Sequence, residues 1–284
     1  MSNIFITIIA YFLDKFFGEY KFVKHPVIKI GEMITFFEER YYKKDIVRGV
    51  ILVLFIVGTT GFVALLIEEF LSYFASIFNI LISAFIASMF IAHRMLHDAV
   101  KNILRSSNKQ HDISMLVSRD TEGMSESDVY KAAIETYAEN LSDGVIAPIF
   151  YLLLFGLPGI IVYKAINTMD SMVGYKTAKY EKYGKAAALL DDAVNYIPSR
   201  LTAVLIMFAS KQKDLFAFYK DGKKHESPNA GHPITAMALA LGVKLGGNTR
   251  YFGKMKKKPI FGKGRKIIIE DDVLKALNLG KIKS

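Results

Sequence analysis

The sequence predicts an all-α fold: a polytopic helical membrane protein whose cytoplasmic helical and loop segments form the site. Three observations carry that reading. Two apolar runs, residues 46–67 and 70–92, are each long enough as helix to cross about 30 Å of hydrocarbon, which takes roughly 20 residues. Arg48 is the only charge in the first run, and the second has none. Basic residues collect beside these runs. Eight Lys or Arg lie between residues 15 and 48, and Arg94, Lys101, Arg105 and Lys109 follow the second run, whereas the link Glu68-Glu69 has none. By the positive-inside rule, Glu68-Glu69 forms an external turn and the basic flanks are cytoplasmic. Finally, a hydrophobic share of 52% and a mean hydropathy of +0.26 over 284 residues suit a membrane protein with substantial aqueous segments.

Taken in order, residues 1–17 are apolar apart from Asp14 and Lys15. The start MSNIFITIIA lacks the basic opening of a cleaved leader, and no A-x-A site follows, so a retained first span is expected. The spans 46–67 and 70–92 come next, then a polar stretch. Ser125 is placed to cap a helix, with Asp128 in the capping-box position, and that helix should run to about Asn140. Ser142-Asp143-Gly144 should break it. Residues 145–166 are long enough to span but contain Pro148, Gly156, Pro158 and Gly159. A kinked span and a re-entrant hairpin both fit, the latter only where protein or water satisfies the freed backbone groups. We expect this segment to enter and return, bending near Leu157-Pro158-Gly159.

A second polar stretch, 167–200, should contain a helix ended by Pro198. It precedes the short apolar run LTAVLIMFA. A small-residue helix, Thr235 to Leu245, should close at Gly246-Gly247. The basic tail 254–284 reads as a surface segment with a short helix near Asp271 to Leu277. With no repeat and no linker, residues 1–284 read as a single membrane-embedded domain.

Net charge is +10, from 37 basic and 27 acidic residues. Nucleic acid is excluded as a partner because no recognition motif or aromatic-basic interleaving accompanies the charge. The absence of Cys removes disulfides, thiolate metal sites and Cys nucleophiles. There is no phosphate-binding Gly-rich loop and no nucleophile elbow. His93 and His97 are four apart but lack the third ligand that zinc requires.

Four polar clusters remain. Lys131, Glu135 and Glu139 share a helical face that ends at Asn140 and Asp143 and runs into an apolar segment, where charges are costly and usually functional. A solvated face with an ion pair four residues apart is the alternative. The others are Asn167-Thr168-Asp170-Ser171-Tyr175, Asp191-Asp192-Asn195-Arg200, and Arg119-Asp120-Thr121, the last a candidate anion site through a bidentate Arg. Carboxylates in this number suit Mg2+, which prefers oxygen ligands.

The runs RDTEGMSESDVYKAAIETYAENLSDGVIAP, NTMDSMVGY and LLDDAVNYIPSRLTA resemble the core of the CobD/CbiB family of cobalamin biosynthesis. LDKFFGEYKFVKHPVIKIG is similar to that family's N-terminal motif, and SPNAGHPITAMALALGVKLGGNTRYFG to its C-terminal one. The likeness covers nearly the whole chain in the right order. It departs at Gly18-Glu19-Tyr20, where the family has Gly-Asp-Pro, at Leu189, where it has Arg, and at Ser199, where it has Ala.

The resemblance implies amide ligation of (R)-1-aminopropan-2-ol or its phosphate to a corrinoid side-chain carboxylate, with ATP as cosubstrate, at a cytoplasm-facing site in the cell membrane. Expected partners are the corrinoid and amine substrates, the lipid bilayer, and other membrane enzymes of cobalamin assembly. The individual roles rest on chemistry alone. Glu135, Glu139, Asp143 and Asp170 are the candidate catalytic carboxylates. Asp191, Asp192, Glu139 and Asp143 are the candidate Mg2+ ligands. Substrate contacts are expected from Asp14, His25, Arg119, Asp120, Thr121, Asn140, Asn167, Ser171, Tyr175, Asn195, Arg200, Ser227 and Asn229, with Lys164 or Lys176 as further phosphate cations. On residues alone, a membrane Mg2+-dependent phosphotransferase or a corrinoid transporter or scaffold also stays open. The phosphotransferase pattern D-G-x-x-A-R is missing, and no pair of related halves marks a transporter.

Overall fold

A computed structural model describes residues 2–20, 24–251 and 253–279. In chain order the helices are α1 (Ser2–Phe17), α2 (Pro26–Tyr41), α3 (Ile46–Ser72), α4 (Ser76–Ser88), α5 (His93–Arg105), α6 (Lys109–Ser114), α7 (Glu126–Leu141), α8 (Ala147–Val173), α9 (Tyr180–Tyr183), α10 (Lys185–Val194), α11 (Tyr196–Ala209), α12 (Tyr219–Gly222), α13 (Gly231–Leu241) and α14 (Glu270–Leu277). Two antiparallel ribbons complete the described chain: β1 (Leu245–Gly246) with β4 (Ile260–Phe261), and β2 (Thr249–Tyr251) with β3 (Lys254–Lys256). The fold is all-α, as expected. Three helical runs are long and apolar enough to cross a membrane, 46–72, 76–105 and 126–173, so this is a helical membrane protein.

Several expected boundaries move. Glu68 and Glu69 are not the turn between spans: α3 carries them and turns only after Ser72. A carboxylate near a helix end reaches water without breaking the backbone ladder, so the pair did not have to be a loop. The regular part of α4 is shorter than the expected 70–92, because the chain leaves helix after Ser88. Expected as a span, α1 has 16 residues, fewer than the roughly 20 that a full crossing takes.

Where the sequence reads as one domain, the described chain divides into two compact units, residues 1–94 with 143–195, and residues 95–142 with 196–284. In the first unit α3 lies along α8, α1 lies along α4, and α8 also touches α1, α2 and α10. Gly49 is required here: any Cβ would overlap the carbonyl of Tyr183, so a hydrogen at this position lets the two backbones meet. One side of α1, α3 and α4 is left apolar and exposed, including Phe5, Phe12, Leu54, Phe62, Leu66 and Phe78. In a membrane protein that belt is the lipid-facing surface.

Within the first unit the residues after α7 do not break the helix. Ser142–Ile146 form a single wider π turn that feeds directly into α8. The bend comes later, at Gly156, with φ +65° and ψ −153°, a combination open essentially only to glycine. Pro158 then sits in the first turn of the second half, where its missing N–H costs nothing.

The second unit has its own apolar core, with Val100, Ile103, Ile134, Met237, Val273 and Ala276 buried in it. Ser125 caps α7 as expected, accepting a hydrogen bond from the Asp128 amide at 3.2 Å. Pro198 does not end a helix but opens α11, again in the first turn. Gly242 closes α13 in the left-handed conformation, four residues before the expected Gly246. The expected surface tail is in fact packed over much of its length: Phe261, Ile268, Val273 and Leu277 are buried, and the short helix expected there is α14. Its end, residues 280–284, lies outside the described residues.

Candidate functional site

In the first unit, α8 and α10 bring together a partly buried polar cluster. The two arms of the bent segment fold back on each other. Tyr151 on the first arm stacks on Tyr163 of the second, with ring centroids 5.0 Å apart. The Tyr163 hydroxyl lies 3.0 Å from the carbonyl oxygen of Asp143 and 2.8 Å from Oδ1 of Asn195. Asp143, before the segment, is thereby held level with residues 163–167 on its second arm. One helical turn on from Asp191, Asn195 caps the end of α10 and faces the cluster.

Asn167 donates to Asp191 at 3.3 Å. Lys164 lies in the field of both Asp143 and Asp191. Burial holds the Asp191 pKa above the usual carboxylate range, against the opposing pull of Asn167 and Asn195. Asp192, one position on, is also raised by burial, but its cationic neighbour is Lys176. His25 caps α2 through Nδ1, which accepts from the Val27 amide at 3.3 Å, and it feels both Glu19 and Lys164. Of the residues expected to act, Asp143, Asn167, Asp191 and Asn195 are therefore gathered here. Asp170 lies against Gly174, where a Cβ would collide with its carboxylate. Ser171 turns back to the Asn167 carbonyl, and Tyr175 is exposed. Asp14 accepts from the amides of His93 and Arg94 at 3.0 and 3.2 Å, so it satisfies the start of α5.

The remaining expected residues belong to the second unit. Arg119 does not present a free fork: it pairs with Glu135 at 2.6 Å, both largely buried. The other oxygen of Glu135 accepts from the Gly246 amide at 2.6 Å. Lys131 turns to Asp128 at 3.2 Å instead of joining Glu135 along the helix. Glu139 contributes its charge to Arg119. Asp120 accepts from the Gly253 amide at 2.7 Å, Thr121 closes a turn to Met124, and Asn140 donates to the Thr136 carbonyl. Arg200 lies over the Tyr196 ring at 3.5 Å and donates to Asn229 Oδ1 and the Pro228 carbonyl, both at 3.1 Å. Ser227 accepts from the amides of Asn229 and Ala230.

Sequence reasoning missed Tyr163 and His232. Tyr163 reads as one more residue of an apolar run. A buried Tyr, however, needs a partner for its hydroxyl, and that was the available signal. His232 is fully buried against Tyr219 and Phe218, and burial together with Arg200 and Lys223 lowers its pKa to about 4.

Among the described residues no group of three or more His, Asp or Glu side chains is placed to hold a metal ion. Mg2+ commonly takes one or two carboxylates and completes its shell with phosphate oxygens and water. Asp143 and Asp191 fit that partial role.

These observations define a class, an all-α membrane protein with a polar cluster between a doubled-back helical segment and the helix α10. Within it, the chain belongs to the CobD/CbiB family: the family described as CobD/Cbib protein matches residues 7–280. It is 39% identical over 272 residues to the cobalamin biosynthesis protein CobD of Geobacter metallireducens, covering 90% of this chain and 86% of that one. It is 39% identical over 288 residues to the protein of that name from Clostridium perfringens, covering 96% and 91%. Against the probable cobalamin biosynthesis protein CobD of Pyrococcus furiosus it is 39% identical over 243 residues, covering 84% and 83%. No solved structure gave a significant match.

Proposed function

We propose that the protein forms the amide bond between (R)-1-aminopropan-2-ol, or its phosphate, and the side-chain carboxylate of adenosylcobyric acid, with consumption of ATP. Membership of the family carries the coarser statement, a role in cobalamin biosynthesis. The observation that supports a reaction site in the first unit is the Tyr163 bond to the Asp143 carbonyl, beside which Lys164 feels both Asp143 and Asp191 and Asn167 donates to Asp191.

A free carboxylate resists an amine because oxide would have to leave. Transfer of the γ-phosphoryl group to a carboxylate oxygen releases ADP and gives an acyl phosphate. The amine nitrogen then attacks the acyl carbon, phosphate departs, and the nitrogen sheds its protons. In this reading Lys164, in the field of Asp143 and Asp191, would neutralise phosphoryl charge, and Asp191 or Asp143 would accept a proton from the incoming ammonium. Mg2+ brought in with the nucleotide would supply charge neutralisation at the transferred phosphoryl group.

The test is incubation of the purified protein with cobyric acid, aminopropanol phosphate and MgATP, followed by mass spectrometry. The amide product should appear together with ADP and phosphate, and Asp191→Asn should lower its rate by at least about two orders of magnitude. A phosphorylated alcohol with no amide would make the protein a phosphotransferase. An unchanged corrinoid that crosses sealed vesicles would make it a transporter.

A further inference from the structure

From Ser227 to Ile269 the chain contains no acidic residue, while Arg250, Lys254, Lys256, Lys257, Lys258, Lys263, Arg265 and Lys266 crowd its second half. The β2–β3 ribbon carries much of this charge. Arg250 and Met255 are cross-strand partners on one of its faces, both exposed. On the other, Tyr251 is paired with Lys254, and Lys258 donates to its hydroxyl at 2.6 Å. Lys256 pairs with Glu226 and Arg265 with Asp272. Arg250, Lys254, Lys257, Lys263 and Lys266 have no carboxylate partner among the described residues. Exposed aliphatic side chains lie among them: Met255, Ile260 and Ile267 are 61%, 52% and 69% exposed.

We propose that this basic ribbon and the loop after it form a docking surface for anionic lipid headgroups. The charge is complementary to phosphate, and the bilayer that holds the apolar helices keeps such headgroups at high local concentration. A small anionic substrate would call for a few cations converging in a concavity, whereas these project from an exposed ribbon and loop. A single-stranded nucleic acid would call for aromatic platforms between the cations, whereas the interleaved groups are mainly aliphatic. Aliphatic side chains set among cations suit the boundary between headgroups and acyl chains.

The chain has no native thiol, so one cysteine reports one place. The full-length Met255→Cys protein, labelled with an environment-sensitive fluorophore, is reconstituted in phosphatidylcholine vesicles with and without phosphatidylglycerol. Met115→Cys, exposed on the second unit and not part of the ribbon, is the control. The label at 255 should shift to the blue, and its quenching by acrylamide should fall about twofold or more, only in the anionic vesicles. High salt should reverse both effects, and so should combined Lys254, Lys257, Lys263 and Lys266→Gln substitution, while the control stays wet throughout. Equal quenching in the two vesicles overturns the proposal, as does equal shielding in phosphatidylcholine alone, which would mean that protein covers the ribbon. Shielding that appears only when an oligonucleotide is added overturns it in favour of nucleic acid.

Discussion

The hydroxyl of Tyr163 is hydrogen-bonded to the backbone carbonyl of Asp143, twenty residues earlier, at 3.0 Å. Along a straight helix those residues would be about 30 Å apart. The bond therefore requires the intervening segment to double back, and it gives the Asp143 carbonyl a partner where the helix widens into its π turn. The Tyr151 ring lies against that of Tyr163 across the hairpin, so the two arms are joined by an aromatic stack as well as by a hydrogen bond.

If the bend depends on the positive φ of Gly156, an alanine there should strain the backbone by about 1–3 kcal/mol. Its methyl group would also approach Glu68 Oε1 at 3.1 Å. Gly156→Ala should lower the thermal transition in detergent. A transition equal to that of the native protein would mean that the bend has another cause.

A doubled-back segment predicts that its two ends lie on one side of the membrane. Single cysteines at Asn140 and Thr177, both exposed, should react with an impermeant thiol reagent from the same face of oriented vesicles. Labelling from opposite faces would show a straight crossing between them.

Arg119 and Glu135 form a largely buried pair, 14% and 7% exposed. Removing one partner leaves the other charge stranded, which typically costs about 3–5 kcal/mol. Arg119→Leu should therefore lower stability sharply, and the double change Arg119→Leu with Glu135→Leu should recover much of the loss. Denaturation of the native protein, Arg119→Leu, Glu135→Leu and the double variant measures this. A large rise in KM for a phosphorylated substrate at native stability would instead return Arg119 to the binding site.

Histidine ordinarily titrates near 6.5, and His232 does so near 4. Because its folded pKa lies below the unfolded one, its contribution to stability is full above pH 6.5 and is lost as pH falls toward 4. The loss amounts to about 3 kcal/mol when complete. Asp191, raised by burial, works in the opposite sense, its contribution being lost as pH rises. Subtracting the profile of His232→Gln from that of the native protein isolates the imidazole. The native protein should lose more stability than the variant between pH 7 and 4.5, and parallel profiles would refute the assignment.

What could be read from the sequence was local. The Ser125 cap depends on residues three apart, and the bend near Pro158 depends on backbone rules that act within a few residues. The apolar runs could be read from composition over a single helix. The partners of Arg119 and Asp14 lie 16 and about 80 residues away, and no periodicity connects them. Lys131 was misplaced because two acidic residues were within reach on the same helix, Asp128 three before it and Glu135 four after. Arg119 and the Gly246 amide engage Glu135, which leaves Asp128 to Lys131. The basic tail reads as surface from its charge, although Phe261, Ile268 and Val273 are enough to anchor it.

The division of the chain has a bearing on how the protein is made. The first unit opens with residues 1–94 and is completed only by residues 143–195, while the second waits for residues 196–284 to join 95–142. At about 5–20 residues per second on the ribosome, the carboxylate of Asp14 waits several seconds for the backbone amides it will cap. Throughout that interval the early helices lack their final neighbours, and residues 95–142 emerge with an apolar face that nothing yet covers. Neither unit can be finished before the other is begun. The cell is thus left with a half-built hydrophobic surface to shelter during synthesis, and a break in translation anywhere between residues 95 and 195 would strand both halves together.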